Sequence, residues 1–209
     1  MKQKPNYRLY LVTDAEICPR ENLLDVCEKA IDGGVSIIQL REKDISSREF
    51  YNEAAALKTL CTAKNVPLII NDRLDIALAV DADGIHIGQS DMPLAAARRI
   101  LGSGKIIGVS AGNVREALDA EHGGADYLGV GAVFPTGTKK DAENIGIDML
   151  KQVTAAASIP IVGIGGINSG NINLLRGSGI DGVAVVSCIM GSKDPYSAAE
   201  TLREKTELL

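Results

Sequence analysis

The chain has 209 residues, with 22 Lys and Arg against 27 Asp and Glu, a formal net charge of −5. Apolar residues make up 45% of it, enough for a sizeable core, while the aromatics are five Tyr, two Phe and no Trp. An acidic, aromatic-poor chain lacks the basic face and stacking platforms of a nucleic-acid binder, and no apolar run approaches the ~18 residues of a membrane-spanning helix.

Short β-branched runs alternate with helical patterns throughout. The apolar runs are 9–13, 35–40, 67–70, 84–87, 105–109, 127–134, 159–164 and 182–189. They predict eight strands whose starts lie about 25 residues apart. Between them, apolar residues recur at three- and four-residue steps, as in Leu23, Val26, Cys27 and Ala30, and predict helices over 23–32, 47–63, 93–101, 114–122 and 147–156. Ser46 or Ser47 and Asn113 are suited to cap helices, the latter with Glu116 in the third position of a capping box. Several strands are apolar at nearly every position, as in a parallel sheet covered on both faces. Eight such units without a break in composition predict one (β/α)8 TIM barrel over residues 1–209, an open doubly wound sheet being the alternative. Residues 1–10 hold two lysines and no apolar stretch, so no secretory signal is expected. Cys18, Cys27, Cys61 and Cys188 follow no metal-site or disulfide spacing and read as reduced thiols of a cytoplasmic protein. The sequence leaves the oligomeric state open, a homo-oligomer included.

In such a barrel the chemistry lies at the C-terminal ends of the strands. The second run ends Gln39-Leu40-Arg41-Glu42-Lys43; period two places Gln39, Arg41 and Lys43 on one face, three donors suited to an anion, and a solvated strand end is the plain alternative. The third run ends Asn71-Asp72-Arg73, and the fourth leads through His86 and Gln89 to Asp91. Two carboxylates at adjacent strand ends can share one hard cation such as magnesium, although Asp91 could instead cap the helix that follows. The fifth run leads to Ser110. The sixth leads into Thr136-Gly137-Thr138-Lys139-Lys140, a hydroxyl-rich basic loop longer than most strand-to-helix connections. The seventh ends in Gly165-Gly166 and the eighth in Val186-Ser187, where barrels of this kind recurrently bind phosphate. His86, inside an apolar strand, and His122, near a helix end, read as structural, and Cys188 as core.

The ordered set QLREK (39–43), NDR (71–73), GIHIGQSD (84–91), GVSA (108–111), FPTGTKKDA (134–142), IGGI (164–167) and DGVAVVS (181–187) resembles the thiamine-phosphate synthase family over nearly the whole chain. The resemblance implies a magnesium-dependent transferase. It would join a hydroxymethylpyrimidine diphosphate to a thiazole phosphate, releasing pyrophosphate and forming thiamine monophosphate. It further implies that the run Gln39, Leu40, Arg41, Glu42 and Lys43, joined by Asn71, Ser110 and Lys139, holds the pyrimidine diphosphate. Asp72 and Asp91 would ligate the metal. Thr136, Gly137 and Thr138, with Gly166, Val186 and Ser187, would receive the thiazole phosphate. The implied course is dissociative: pyrophosphate leaves, a stabilised pyrimidine methylene cation forms, and the thiazole nitrogen captures it. Arg41, Lys43 and Lys139 would stabilise charge on the leaving group, an electrostatic role needing no nucleophile. The nearest competitor, a thiazole tautomerase of related fold, would be expected to carry a second His near the end of strand five, where this chain has Gly112. A non-catalytic phosphate-binding barrel would have no use for the intact set of cations and carboxylates.

Overall fold

The computed structural model describes residues 5–137 and 143–209. Eight parallel strands, β1 (Leu9–Val12), β2 (Ile37–Leu40), β3 (Leu68–Asn71), β4 (Gly84–Ile87), β5 (Ile106–Ala111), β6 (Tyr127–Val130), β7 (Ile161–Ile164) and β8 (Gly182–Val185), pair in sequence order, and β8 closes on β1. The helices are α1 (Leu23–Asp32), α2 (Ser47–Ala63), α3 (Leu74–Ala79), α4 (Leu94–Leu101), α5 (Val114–His122), α6 (Gly146–Ala156), α7 (Ser187–Met190) and α8 (Pro195–Thr206). The expected (β/α)8 barrel is the observed one.

Strand alternation divides each strand between two cores. Leu9, Leu11, Ile38, Leu40, Leu68 and Ile70 point outward, into the layer the helices cover. Tyr10, Val12, Ile37, Ile69, Ile106, Tyr127, Val162 and Ala184 fill the lumen. Burial on both faces is why these strands read as unbroken apolar runs. The barrel also closes tightly: a Cβ on Gly182 would lie 1.9 Å from the Tyr7 carbonyl oxygen, so only glycine fits there.

Helix starts follow their side chains. Ser46 caps α2 in a full capping box, its hydroxyl accepting from the Glu49 amide while Glu49 accepts from the Ser46 amide. Asn113 caps α5 by accepting from the Glu116 amide. The reciprocal bond differs from the expected box, because the Glu116 carboxylate takes the Gly112 amide and the Asn113 side chain instead. Two apolar runs overshoot their strands. The run to 134 leaves the sheet at Val130, and the run to 189 turns at Val186 into α7. Among the described residues no helix is long and apolar enough to cross a membrane, and all four cysteines are free thiols.

Candidate active site

The C-terminal ends of β1 to β5 bring most of the residues singled out above to one rim. Beyond β2 the chain holds Arg41 through Thr13, whose hydroxyl accepts from the Arg41 amide at 3.0 Å. The Arg41 guanidinium lies 3.5 Å from the Asp14 carboxylate, which is 5% exposed. Two residues on, Lys43 Nζ donates to Asp72 Oδ2 at 2.6 Å. Gln39 points into the lumen and donates through Nε2 to the Tyr10 hydroxyl at 2.9 Å. The two intervening residues face the other way. Leu40 is buried in the outer core, and Glu42, 8% exposed, receives Arg20 at 2.8 Å. Of the five-residue run, the geometry thus brings the side chains of Arg41 and Lys43 to the rim, turns Gln39 into the lumen beneath it, and leaves Leu40 and Glu42 facing away.

Asp72 follows β3 with a left-handed backbone, φ 60°, a conformation open to Asp and Asn beyond most residues. Its carboxyl comes within hydrogen-bonding reach of Asp91. Burial, and Asp91 beside it, hold the Asp72 pKa above the ordinary aspartate value although Lys43 pulls it down. Asp91 accepts from the Gly88 amide at 2.7 Å and so braces the loop after β4. It does not cap α4, whose N-cap position is Pro93. Two carboxylates crowded together against a lysine are a donor set that a hard divalent cation would relieve, and Mg²⁺ is commonly held by one or two carboxylates plus substrate phosphates. Among the described residues no group of three or more metal-ligating side chains occurs, so substrate or water would complete such a site. Arg73, the last residue of the NDR run, is turned away onto Asp75 and Ser47.

Asn71 ends β3 in register with His86 of β4, 9% exposed. Ser110, on β5, receives or gives a hydrogen bond at His86 Nε2, 2.9 Å away, and Gln89 donates to its carbonyl oxygen at 2.7 Å. On the far side of the rim a cavity of about 480 Å³ opens between the ends of β1, β6, β7 and β8. Thr136, Gly137, Gly166 and Ser187 line it, as do Asp14 and Glu16. Gly165 and Gly166 have φ of 97° and 65°, and a Cβ on Gly166 would lie 2.5 Å from the Pro135 carbonyl oxygen. Glycine therefore lets the β7 turn pack directly on the loop after β6. Val186 packs behind Ser187 against the lumen core. Thr138 and Lys139 lie outside the described residues. Burial pushes the Cys188 thiol up to about 11, so it offers no nucleophile at neutral pH.

The sequence reading passed over Asp14 and Glu16. Their one signal in the sequence is position, directly after the first apolar run.

A family model described as thiamine monophosphate synthase matches residues 9–189. The chain belongs to the thiamine monophosphate synthase family. It is thus an enzyme, a transferase that makes thiamine monophosphate. It is 53% identical over 205 residues to a thiamine-phosphate synthase of Clostridium beijerinckii, covering 98% of each chain. It is 54% identical over 204 residues to that of Ruminiclostridium cellulolyticum, covering 98% of this chain and 97% of the relative. Its structure is similar to that of the thiamine phosphate pyrophosphorylase of Pyrococcus furiosus, with a TM-score of 0.90, 40% identity, and coverage of 98% and 97%. The family matches the chain over all eight strands, so every rim residue described above falls within the matched span.

Proposed function

We propose that the chain joins 4-amino-2-methyl-5-(diphosphooxymethyl)pyrimidine to 4-methyl-5-(2-phosphooxyethyl)thiazole, or to its carboxylated form with loss of carbon dioxide, releasing pyrophosphate by a dissociative course. The observation that carries this reading is the convergence on one rim of Arg41, Lys43, Asp72 and Asp91 beside a cavity lined by Thr136, Gly137, Gly166 and Ser187.

On this reading Arg41 and Lys43 bind the diphosphate and oppose the negative charge that grows on its leaving oxygens, and Lys139 joins them from the loop. Such preorganised donors act most strongly where water is excluded, and losing one typically costs ~3–4 kcal/mol in the barrier. Asp72 and Asp91 would hold Mg²⁺, which when bound supplies Lewis-acid stabilisation to the departing pyrophosphate. Asn71, Ser110 and Gln39 place hydrogen-bonding groups along the same substrate. Thr136, Gly137, Thr138, Gly166, Val186 and Ser187 receive the thiazole phosphate, whose nitrogen must face the pyrimidine methylene carbon to capture it. No side-chain base is needed, because the bond that breaks is the carbon–oxygen bond to diphosphate and the nucleophile is a neutral ring nitrogen. Against tautomerase chemistry, the position after β5 that would carry the second His is Gly112.

Purified protein given both substrates and magnesium should release pyrophosphate and form thiamine monophosphate in equal amounts. Formation of a tautomerised thiazole alone, without pyrophosphate, would sink the reading.

A further inference from the structure

Beneath the rim, five side chains from five strands are joined across the lumen. Gln39 Nε2 donates to Tyr10 Oη at 2.9 Å; Tyr10 and Tyr127 share a hydrogen bond of 2.7 Å; Tyr127 Oη meets His86 Nδ1 at 2.9 Å; His86 Nε2 meets Ser110 Oγ at 2.9 Å. Tyr10 and Tyr127 are each 1% exposed. The backbone is built around this row. Glycine inside a strand weakens it, yet β5 has Gly108 and β6 has Gly129. A Cβ on Gly108 would lie 2.1 Å from Tyr127 Cζ, and one on Gly129 would lie 2.9 Å from His86 Cε1. Both glycines leave room for a member of the row.

The row has a direction. The Tyr10 oxygen already accepts from Gln39, so its own proton needs an acceptor; buried without one, a hydroxyl is costly. Among the described residues that acceptor is Tyr127 Oη. Tyr127, having accepted, donates to His86 Nδ1. The imidazole proton then sits on Nε2 and is given to Ser110 Oγ. Ser110, having accepted in turn, keeps its own proton for the site. Burial raises the pKa of both phenols, so both remain protonated donors at neutral pH.

We infer that the row Gln39–Tyr10–Tyr127–His86–Ser110 is a positioning device that fixes the Ser110 hydroxyl as a donor toward an anionic substrate oxygen. Tyr10, Tyr127 and His86 touch no substrate in this role and act through Ser110. The direction of the row rests on the lumen geometry alone; only its use on a diphosphate rests on the synthase reading.

The direct test is ¹⁵N NMR of the histidine side chains in the ligand-free protein. The chain has two His, and His122→Gln identifies the signals of His86. The expected result is a neutral His86 ring protonated at Nε2; a ring protonated at Nδ1, or at both nitrogens, overturns the proposed direction. This measurement needs no substrate, so its failure is separate from failure of the synthase reading. A double-mutant cycle then tests the route. Tyr127→Phe should lower kcat/KM about tenfold to a hundredfold, the size expected for one buried polar group left without its partner. It should also abolish the Nε2 signature. In Ser110→Ala the same change should cost little more, because Tyr127 acts through Ser110. Fully additive losses overturn the positioning role, as does Tyr127→Phe with unchanged kcat/KM. If Tyr127→Phe does not fold, the NMR result on the parent protein still decides the direction.

Discussion

Asp72→Asn is the substitution that best separates a metal-binding carboxylate from a structural one. Asn keeps the shape of Asp and tolerates the left-handed backbone, φ 60°, so the turn after β3 should persist. The change removes one side of the Lys43 pair, but the Lys43 side chain is 50% exposed, and pairs so open to water contribute at most ~1 kcal/mol. It also removes the desolvated charge beside Asp91, the effect that prevails in raising the Asp72 pKa. In metal-free protein the variant should therefore be as stable as the parent or slightly more so. The pH dependence has a definite sign. A carboxyl with a raised folded-state pKa binds its proton more tightly folded than unfolded, so the parent loses stability as pH rises from about 4 toward the raised value. Below that window Asp72 is neutral in both states, and the advantage of Asn over Asp vanishes.

Activity should move the other way. A unit charge ~4 Å from an opposite one at an effective dielectric of ~20 interacts by ~4 kcal/mol, and water entering in place of the carboxylate recovers part of that. The loss in kcat/KM at limiting magnesium should be about a hundredfold to a thousandfold. Pyrophosphate release across a magnesium titration, paired with thermal unfolding in chelator from pH 3 to 8 (about the span of the window and its flanks), reads both effects. Turnover unchanged at limiting magnesium would remove Asp72 from the proposed metal site. A metal-free variant several degrees less stable than the parent would refute the account of a frustrated carboxylate pair.

Three other changes test separate parts of the structure. Ser46→Ala should cost ~1 kcal/mol by removing the α2 capping box, read as a lower denaturant midpoint with unchanged specific activity. Gly182→Ala should destabilise by ~1–3 kcal/mol or prevent folding, since its Cβ would meet the Tyr7 carbonyl; a variant with the parent's unfolding temperature would show that β1 and β8 pack less closely than described. Asp14→Asn should weaken the hold on Arg41, an ion pair with Asp14 buried, and lower kcat/KM for the pyrimidine diphosphate about tenfold, or ~1.4 kcal/mol. An effect confined to the KM for the thiazole phosphate would mean that Asp14 serves the cavity instead.

The barrel was legible because burial on both sheet faces writes the strands as continuous apolar runs, and because helices such as α1, α2 and α5 carry three- and four-residue periodicity between recognisable caps. The strand ends were less legible. Hydrophobicity continues past Val130 and Val185 because the following residues still pack on the core, although they no longer join the ladder. The helices α3 and α8 are not among those the periodicity predicts. α3 has only six residues, and the buried positions of α8 include Pro195, Ala199 and Thr206, which give little apolar contrast.

Within the site, strand alternation alone separates Gln39, Arg41 and Lys43 from Leu40 and Glu42. Partners across strands could not be read in that way. Nothing in the spacing of Tyr10, Tyr127 and His86, 117 and 41 residues apart along the row, announces that they touch, because the contacts arise only when the sheet closes. His86 consequently read as a structural residue in an apolar strand.

The charge at the rim gives the metal proposal its firmest footing. Among the described residues there, Arg41 and Lys43 stand against Asp14, Glu16, Asp72 and Asp91, so the rim, like the chain as a whole, carries more negative than positive charge. A diphosphate approaching it would meet two cations already turned toward carboxylates. A divalent cation would cancel that excess, and the acids would then help to recruit the anion they otherwise repel. Inorganic pyrophosphate, which presents the leaving group without the pyrimidine, should therefore bind weakly in chelator and at least tenfold more tightly once magnesium saturates, a shift of about 1.4 kcal/mol or more. Asp91→Asn should shrink that difference while leaving weak, metal-free binding no worse, because it removes a repulsive charge along with a ligand. Equal pyrophosphate affinity with and without magnesium would show that Arg41, Lys43 and the loop bearing Lys139 suffice for the anion. The carboxylates would then need another explanation.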